Sequence, residues 1–258
     1  MAKSKEAYVC AECGSHSAKW AGQCPECAAW NTLEPIKVAA SAGAKPAAVR
    51  RLAELGDDLS ARYPTGFAEF DRVLGGGLVP GAVVLLGGDP GVGKSTLLQQ
   101  VSARLPDGVT VCYATGEESL RQVGQRAERL GLEAEDTVML ADTSLDTVLA
   151  TASESRAAVL VIDSMQTMSV DDVSSAPGSV TQLRESVSRI VRFAKQNEVA
   201  VFVIGHVTKE GAIAGPRVVE HMVDTVLYFE NDPSSRFSLI RSDKNLSLIH
   251  ISEPTRQL

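Results

Sequence analysis

The sequence has no long hydrophobic run, and it lacks the apolar segment of a secretory signal. No apolar stretch approaches the roughly 18 residues that a membrane-spanning helix needs. The first ten residues, MAKSKEAYVC, carry charge without a hydrophobic region behind it. We therefore expect a cytoplasmic protein with no membrane partner.

Positive charge is scarce for a protein whose whole surface would bind nucleic acid. Lys and Arg number 25 against 32 Asp and Glu, which gives a formal net charge of −7. This balance excludes a surface that is basic throughout. It leaves open a local basic patch, or a patch that is assembled when several chains come together.

Cysteines are few, but four of the five form two closely spaced pairs, Cys10-x₂-Cys13 and Cys24-x₂-Cys27. In a chain without an export signal, such a cluster indicates metal binding more than disulfide bonding. Four thiolates form a closed tetrahedral site that suits structural zinc and leaves no open position for catalysis. Redox-active cysteine pairs or an iron–sulfur centre are the alternatives.

Other residues around the cysteine pairs receive weaker predictions. His16 is expected to lie outside the ligand set. Trp20 and Trp30 flank the second pair and are predicted to pack over the small zinc lobe, the alternative being that one of them contacts a nucleic-acid base. Cys112 falls within a predicted strand, and we expect it in the hydrophobic core without a chemical role.

Short apolar segments alternate with helical periodicity through most of the remaining chain. The segments AVVLLGG, GVTVCYATGEE, AAVLVIDS, VAVFVIGHV and DTVLYFE are predicted strands. This pattern is typical of an α/β fold with a mostly parallel sheet that is buried on both faces. The predicted divisions are a four-cysteine finger at 1–35, an Ala-rich linker at 36–55, a nucleotide-binding domain at 56–245 and an atypical tail at 246–258.

The segment GGDPGVGKST follows the first strand of that alternation and fits the phosphate-loop pattern G-x-x-x-x-G-K-[ST] at every fixed position. Glycines let the backbone curl with its N–H groups towards phosphate oxygens, and the following helix directs its positive end to the same place. Lys94 would reach the β- and γ-phosphates of ATP, and Ser95 would offer a hydroxyl to Mg²⁺. A Gly-rich turn that matches by chance is the alternative. The predicted ATP-binding residues of this loop are Gly88, Asp89, Pro90, Gly91, Val92, Gly93, Lys94, Ser95 and Thr96.

Polar residues at the ends of three other predicted strands are candidates for the same site. Asp163 ends VLVIDS, where it could hold the Mg²⁺ shell. Glu117 is the candidate for orienting the attacking water, with Glu118 as its competitor, and a capping role for both acids is the alternative. His206 could sense the γ-phosphate, although a histidine at a strand end is often structural.

Several longer blocks of the chain resemble the bacterial RadA (Sms) family of DNA-repair ATPases. The resemblance runs from about residue 7 to residue 245 and is carried by the four-cysteine finger, AKWAGQCPEC, TGFAEFDRVLGGGLVPG, GGDPGVGKST, SAPGSVTQLRE and GHVTKEGAIAGPRVVEHMVDTVLYFEND. It implies a RecA-like P-loop ATPase core that assembles into homo-oligomeric rings on single-stranded or branched DNA. It also implies work in branch migration and in processing recombination intermediates, together with other recombination proteins.

The same resemblance implies roles for particular residues. Glu117 matches the catalytic glutamate, the segment 168–184 matches a DNA-facing loop, and Arg184 is expected to contact a phosphate there. Lys244 and Asn245 match the start of a KNRFG motif whose cations act on the nucleotide of a neighbouring subunit.

The residues after Asn245 depart from that family pattern. Leu246 stands where the motif has arginine, and we expect the chain to lack the Lon-protease-like domain that follows in the family. We therefore expect SLIHISEPTR to be foreign sequence and this chain to hydrolyse ATP slowly. The alternatives to a repair ATPase are a signalling ATPase of the KaiC type and a zinc-ribbon module that holds ATP as a switch.

Overall fold

The computed structural model describes residues 5–38, 62–206, 218–231 and 238–245. Most of the predicted linker, the KEGAIAGPR block and the whole of the tail at 246–258 lie outside these ranges. No helix in the described part of the chain is long and apolar enough to cross a membrane.

The N-terminal lobe is a three-stranded antiparallel sheet with the cysteine pairs at its end. Its strands are β1 (Lys5–Cys10), β2 (His16–Ser17) and β3 (Leu33–Val38), in the spatial order β2-β1-β3. The buried core of this lobe consists of Cys10, Cys24 and Leu33. So small an apolar core cannot by itself offset the conformational entropy that folding costs.

The larger domain is built on one seven-stranded sheet in the order β10-β9-β4-β8-β7-β5-β6. All neighbouring strands are parallel except β9 and β10, which are antiparallel. The prediction of an α/β fold with a mostly parallel sheet, preceded by a small four-cysteine lobe, is confirmed. The strands are β4 (Val83–Gly88), β5 (Val111–Thr115), β6 (Thr137–Ala141), β7 (Val159–Asp163), β8 (Ala200–Ile204), β9 (Thr225–Asn231) and β10 (Ser238–Asn245).

Six α-helices lie in the described part of this domain. Serine side chains at positions 119, 144 and 179 cap the first turns of three of them. Gly131, in the left-handed conformation, ends the helix that Ser119 caps. The helices are α1 (Ala68–Leu74), α2 (Lys94–Ser102), α3 (Leu120–Leu130), α4 (Leu145–Glu154), α5 (Val180–Asn197) and α6 (Val218–Met222).

The core consists of two apolar layers, one on each face of the sheet. Alternate residues of a strand point to opposite faces, so Leu85 joins the layer beneath α4 and α5 while Leu86 joins the layer beneath α1 and α2. Every residue of β4, β5, β7 and β8 is buried. This is the reason that these four strands appear in the sequence as continuous apolar runs.

The sequence analysis missed the two strands at the edges of the sheet. In β6 the residues are half-buried or exposed, and β10 carries the polar run RSDKN. An edge strand needs apolar residues on one face at most, so its sequence lacks the signal that identifies a central strand.

Candidate nucleotide site and metal centre

The predicted nucleotide-binding residues meet at one edge of the sheet. Parallel strands share a direction, so the carboxyl ends of β4, β5, β7 and β8 lie side by side. The phosphate loop follows β4, Glu117 follows β5, Asp163 ends β7 and His206 follows β8. Crevices outside the carboxyl ends of such strands are where open α/β sheets bind their ligands.

The loop between β4 and α2 has backbone geometry that only glycine adopts easily. Gly93, at the start of α2, has φ +109°, and a Cβ at Gly88 would overlap the carbonyl oxygen of Phe229 on β9. Lys94 is 4% exposed, and its ammonium group donates to the carbonyl oxygens of Gly88 (2.7 Å) and Asp89 (2.8 Å). Burial lowers the pKa of Lys94, against the nearby charge of Asp163. The loop thus concentrates a cation where phosphate oxygens could replace carbonyl oxygens as its partners.

Asp163 is held beside this loop by two hydroxyl groups. It is 6% exposed, the Tyr113 hydroxyl donates to its Oδ2 at 2.8 Å, and the Ser95 hydroxyl forms a second hydrogen bond to it. Burial raises the pKa of Asp163, and the two hydrogen bonds act in the opposite direction. A buried carboxylate with so few partners is well suited to a cation, and Ser95 and Asp163 together supply the hard oxygen ligands that Mg²⁺ prefers.

Glu117 lies across the same site, between two polar side chains from neighbouring strand ends. Its Oε1 accepts hydrogen bonds from the Ser164 hydroxyl and from His206 Nε2, the latter at 3.1 Å. Partial burial opposes the ionisation of Glu117, but the hydrogen bonds from Ser164 and His206 outweigh it, so its pKa is lowered. Glu117 is therefore ionised at neutral pH, as a group that orients water must be.

Glu118 has a different environment from its neighbour. Its Oε1 pairs with the Arg126 guanidinium on α3, and its backbone N–H donates to the Thr115 hydroxyl at 3.0 Å. These contacts tie Glu118 to the start of α3 and away from Ser164 and His206. The geometry thus favours Glu117 over Glu118 as the residue that faces the nucleotide.

Tyr113 and Ser164 are members of this site that the sequence analysis did not identify. Tyr113 lies inside an apolar strand and reads as a core residue, and Ser164 follows Asp163 without any motif of its own. Nothing in either local pattern distinguishes them. Only the pairing of β5 with β7, which sets Tyr113 opposite Val161 and Thr115 opposite Asp163, brings these side chains together.

The four cysteine sulfurs of the N-terminal lobe form a compact cluster. All four Sγ atoms lie within 4.8 Å of one another, with Cys10 and Cys27 3.6 Å apart and Cys13 and Cys24 3.7 Å apart. Tetrahedral zinc with Zn–S bonds of about 2.3 Å requires sulfurs about 3.8 Å apart. Hydrogen bonds from the Cys27 backbone and the Ser15 hydroxyl lower the pKa of the Cys24 thiol to about 6, which favours the thiolate that zinc binds. The cluster fits a closed structural zinc site.

The surroundings of the cysteine cluster differ in part from the sequence prediction. Trp20 and Trp30 are 58% and 70% exposed, so the prediction that they pack into the zinc lobe is wrong. Both indoles instead lie near Gly22, where the lobe has too little core to cover them. His16 lies outside the cluster and Cys112 is buried in β5, as expected.

Two cations predicted to act on DNA or nucleotide are engaged elsewhere in this chain. Arg184, near the start of α5, donates from Nη1 to the Gly14 carbonyl oxygen of the N-terminal lobe at 2.5 Å. Lys244 donates from Nζ to the carbonyl oxygens of Glu220, His221 and Val223, where α6 ends. The structure thus places Arg184 between the two lobes and Lys244 at a helix C-terminus, and their roles towards ligands stay predictions.

The fold and the sheet-edge site define a P-loop nucleotide-binding protein. A family model described as an AAA domain matches residues 48–212, and one described as a rubredoxin metal binding domain matches residues 8–35. The chain belongs to the AAA-domain family.

The curated relatives are more specific. The chain is 51% identical over 253 residues to DNA repair protein RadA of Pseudomonas aeruginosa, 46% over 259 residues to that of Escherichia coli and 43% over 256 residues to that of Bacillus subtilis. Each match covers 95% of this chain and 56% of the relative, so the chain spans about half the length of the curated relatives it matches. The resemblance to the RadA family is confirmed.

Proposed function

We propose that this chain is an ATP-hydrolysing unit of DNA repair that binds Mg–ATP at the carboxyl edge of its sheet. The observation that carries the proposal is the meeting of Lys94, Asp163 and Glu117 at that edge, on three separate segments of the chain. A chance Gly-rich turn would not come with a buried cation on one side and two carboxylates on the other.

The residues at this edge divide the work of phosphoryl transfer between them. Lys94 neutralises charge on the β- and γ-phosphates, and Ser95 with Asp163 holds Mg²⁺ and its water shell. Glu117, ionised and fixed by Ser164, orients the attacking water. His206, bonded to Glu117, lies where it would sense whether the γ-phosphate is present.

The DNA substrate in this proposal comes from the relatives, which are named DNA repair proteins. We propose that the chain binds single-stranded or branched DNA as a homo-oligomeric ring and acts in branch migration. In such a ring several copies would each present a few cations to the DNA, which would give an acidic chain a basic lining despite its net charge of −7. DNA would then stimulate hydrolysis by ordering the ring.

ATP turnover by the purified chain, with and without single-stranded DNA, tests the proposal through two matched variants. Glu117→Gln should keep ATP binding and lower turnover by about 10²-fold or more, because it removes the group that orients water and keeps its shape. Glu118→Gln should retain most of the turnover, because Glu118 pairs with Arg126. The test compares the rate of each variant with that of the unmodified chain, so it remains valid if turnover by this chain is slow.

Equal rates for Glu117→Gln and the unmodified chain would contradict the assignment of Glu117. Tight ATP binding without turnover under any DNA condition would favour the zinc-ribbon switch instead. Turnover that does not change when DNA is added would support ATP hydrolysis and would contradict the proposed DNA substrate.

A further inference from the structure

A cavity of about 150 Å³ lies beneath α3, away from the nucleotide site. Its walls come from α2, α3, β5 and β6, and most of their surface is apolar, with contributions from Tyr113, Val123 and Met139. On α2 the cavity contacts Gln99 and Ser102, which follow the phosphate loop by one turn or more. The recess is open at the surface, and none of the residues predicted to bind nucleotide lines it, although its wall residue Tyr113 donates to Asp163.

Gln99 gives this apolar recess one polar feature. The side chain is 6% exposed and lines the cavity, and neither its Nε2 nor its Oε1 has a hydrogen-bond partner in the part of the chain that the structure describes. The Thr137 hydroxyl, on the opposite wall, is likewise buried and unpartnered among these residues. Unmade hydrogen bonds of buried groups cost stability, and native proteins keep few of them without a reason.

The chemistry of the walls restricts what could satisfy Gln99. None of the residues that line the cavity carries a charge, so an ionic ligand would lose its hydration without compensation. A carboxamide presents donors and an acceptor side by side. Its best complement is a neutral group with an acceptor and a donor on one edge, such as an amide or a lactam.

We propose that this cavity binds a small neutral molecule with an apolar body and an amide or lactam edge that pairs with Gln99. Leu120, which is exposed on the first turn of α3, lies at the rim and would cover the apolar body. Tyr113 forms one wall while its hydroxyl holds Asp163, so the occupant would contact the ring of that tyrosine. The proposal does not depend on the proposed ATPase activity.

Three probes of nearly equal shape test the proposal on the full chain by NMR titration. Benzamide offers both a donor and an acceptor, acetophenone keeps only the acceptor, and benzoate carries a charge. We expect benzamide to bind about tenfold more tightly than either of the others, because a site built around a hydrogen-bonding group rejects analogues that leave it unpaired. Equal binding of the three probes, or no binding of benzamide at about 10 mM, would overturn the proposal.

Two variants on one helix provide the control. Gln99→Leu should abolish the preference for benzamide and should raise the melting temperature, because it replaces an unpaired buried amide by an apolar side chain. Gln100→Leu makes the same chemical change at the next position, outside the cavity, and should alter neither property.

A Gln99→Leu variant that is less stable and still prefers benzamide would mean that internal water satisfies the amide, and the proposal would fail. Adding ADP gives an independent check. Displacement of benzamide by ADP would assign the cavity to the nucleotide site and would equally overturn the proposal.

Discussion

The N-terminal lobe and the larger P-loop domain of this chain are stabilised in opposite ways. In the described part of the lobe the apolar core cluster consists of Cys10, Cys24 and Leu33, and two of these three belong to the candidate metal site. In the domain, two apolar layers cover both faces of a seven-stranded sheet, and the polar site lies outside them at one edge. Hydrophobic burial supplies the folding free energy of the second region, and we propose that metal binding supplies that of the first.

This contrast determines whether a substitution can remove the chemical function of a region without unfolding it. The ligands of the lobe are also its core, so a change to a ligand removes both the metal and the fold. Lys94 begins α2, Glu117 follows β5 and Asp163 ends β7, all at one edge of the sheet, so each can be changed while the layers behind them persist. The two regions should therefore respond differently to the same kind of substitution.

The largest effect is expected from Cys24→Ser, which removes one zinc ligand from the core of the lobe. Structural zinc contributes about 10–16 kcal/mol to the folding of such small units, so the lobe should unfold while the domain still binds ATP. Zinc content per chain and the amide NMR spectrum measure the first outcome, and calorimetric titration with ATP measures the second. Cys112→Ser is the control, because Cys112 is buried in β5 outside the cluster and its loss should cost some stability and no zinc.

A folded lobe in zinc-free Cys24→Ser protein would show that the apolar residues suffice and would remove the contrast. Loss of ATP binding in that variant would also contradict the contrast, because the domain would then depend on the lobe for its fold.

The next largest effect is expected from Lys94→Ala, the corresponding change in the larger P-loop domain. It removes the cation of the phosphate loop, so ATP affinity should fall by about 100-fold or more, while zinc content stays at one ion per chain. Calorimetric titration with ATP measures the loss. Lys195→Ala is the control, since Lys195 forms an exposed ion pair with Asp224 on another part of the surface.

The same contrast explains which features the sequence could reveal. A phosphate loop and two cysteine pairs are local patterns, so Lys94 and the four cysteines could be predicted as site residues from spacing alone. The central strands could also be predicted, because every residue of β4 and β7 is buried and each strand therefore appears as a continuous apolar run.

Features that depend on contacts between distant segments could not be predicted. The edge strands β6 and β10 carry too few apolar residues to stand out. Tyr113 reads as an ordinary core residue until β5 pairs with β7 and its hydroxyl meets Asp163. Trp20 and Trp30 look like core residues by type, and only the small size of the lobe leaves them exposed.

A smaller effect is expected from Tyr113→Phe, which leaves the fold and removes one hydrogen bond to Asp163. That hydrogen bond lowers the pKa of Asp163, whose burial raises it, so the variant should have a still higher pKa there. Asp163 would then take up its proton at a higher pH. We expect the half-saturating Mg²⁺ concentration for turnover to rise several-fold, and the acidic limb of the pH profile to move to higher pH.

Tyr228→Phe is the matched control for that measurement. Tyr228 is also buried in the sheet and also donates to a carboxylate, that of Glu220, which is not among the residues of the nucleotide site. It should leave both the Mg²⁺ requirement and the pH profile unchanged. Equal shifts in the two variants would mean that loss of any buried tyrosine hydroxyl has this effect, and Tyr113 would lose its assigned role in positioning Asp163.

The smallest effect is expected from Arg184→Ala, which acts on the contact between the two regions. Arg184 donates to the Gly14 carbonyl oxygen in the loop after Cys13, a single hydrogen bond from a charged group, so its loss should change the unfolding free energy by about 1–2 kcal/mol at most. Zinc content and ATP affinity should remain those of the unmodified chain, and the Gly14 amide resonance should move.

Because the family resemblance also predicts a DNA phosphate contact for Arg184, the slope of log affinity for single-stranded DNA against log salt should decrease in magnitude by about 1. Arg192→Ala, on an exposed position of the same helix, should leave Gly14 undisturbed. A shifted Gly14 resonance with an unchanged salt slope would assign Arg184 to holding the lobe against the domain, with no part in binding DNA.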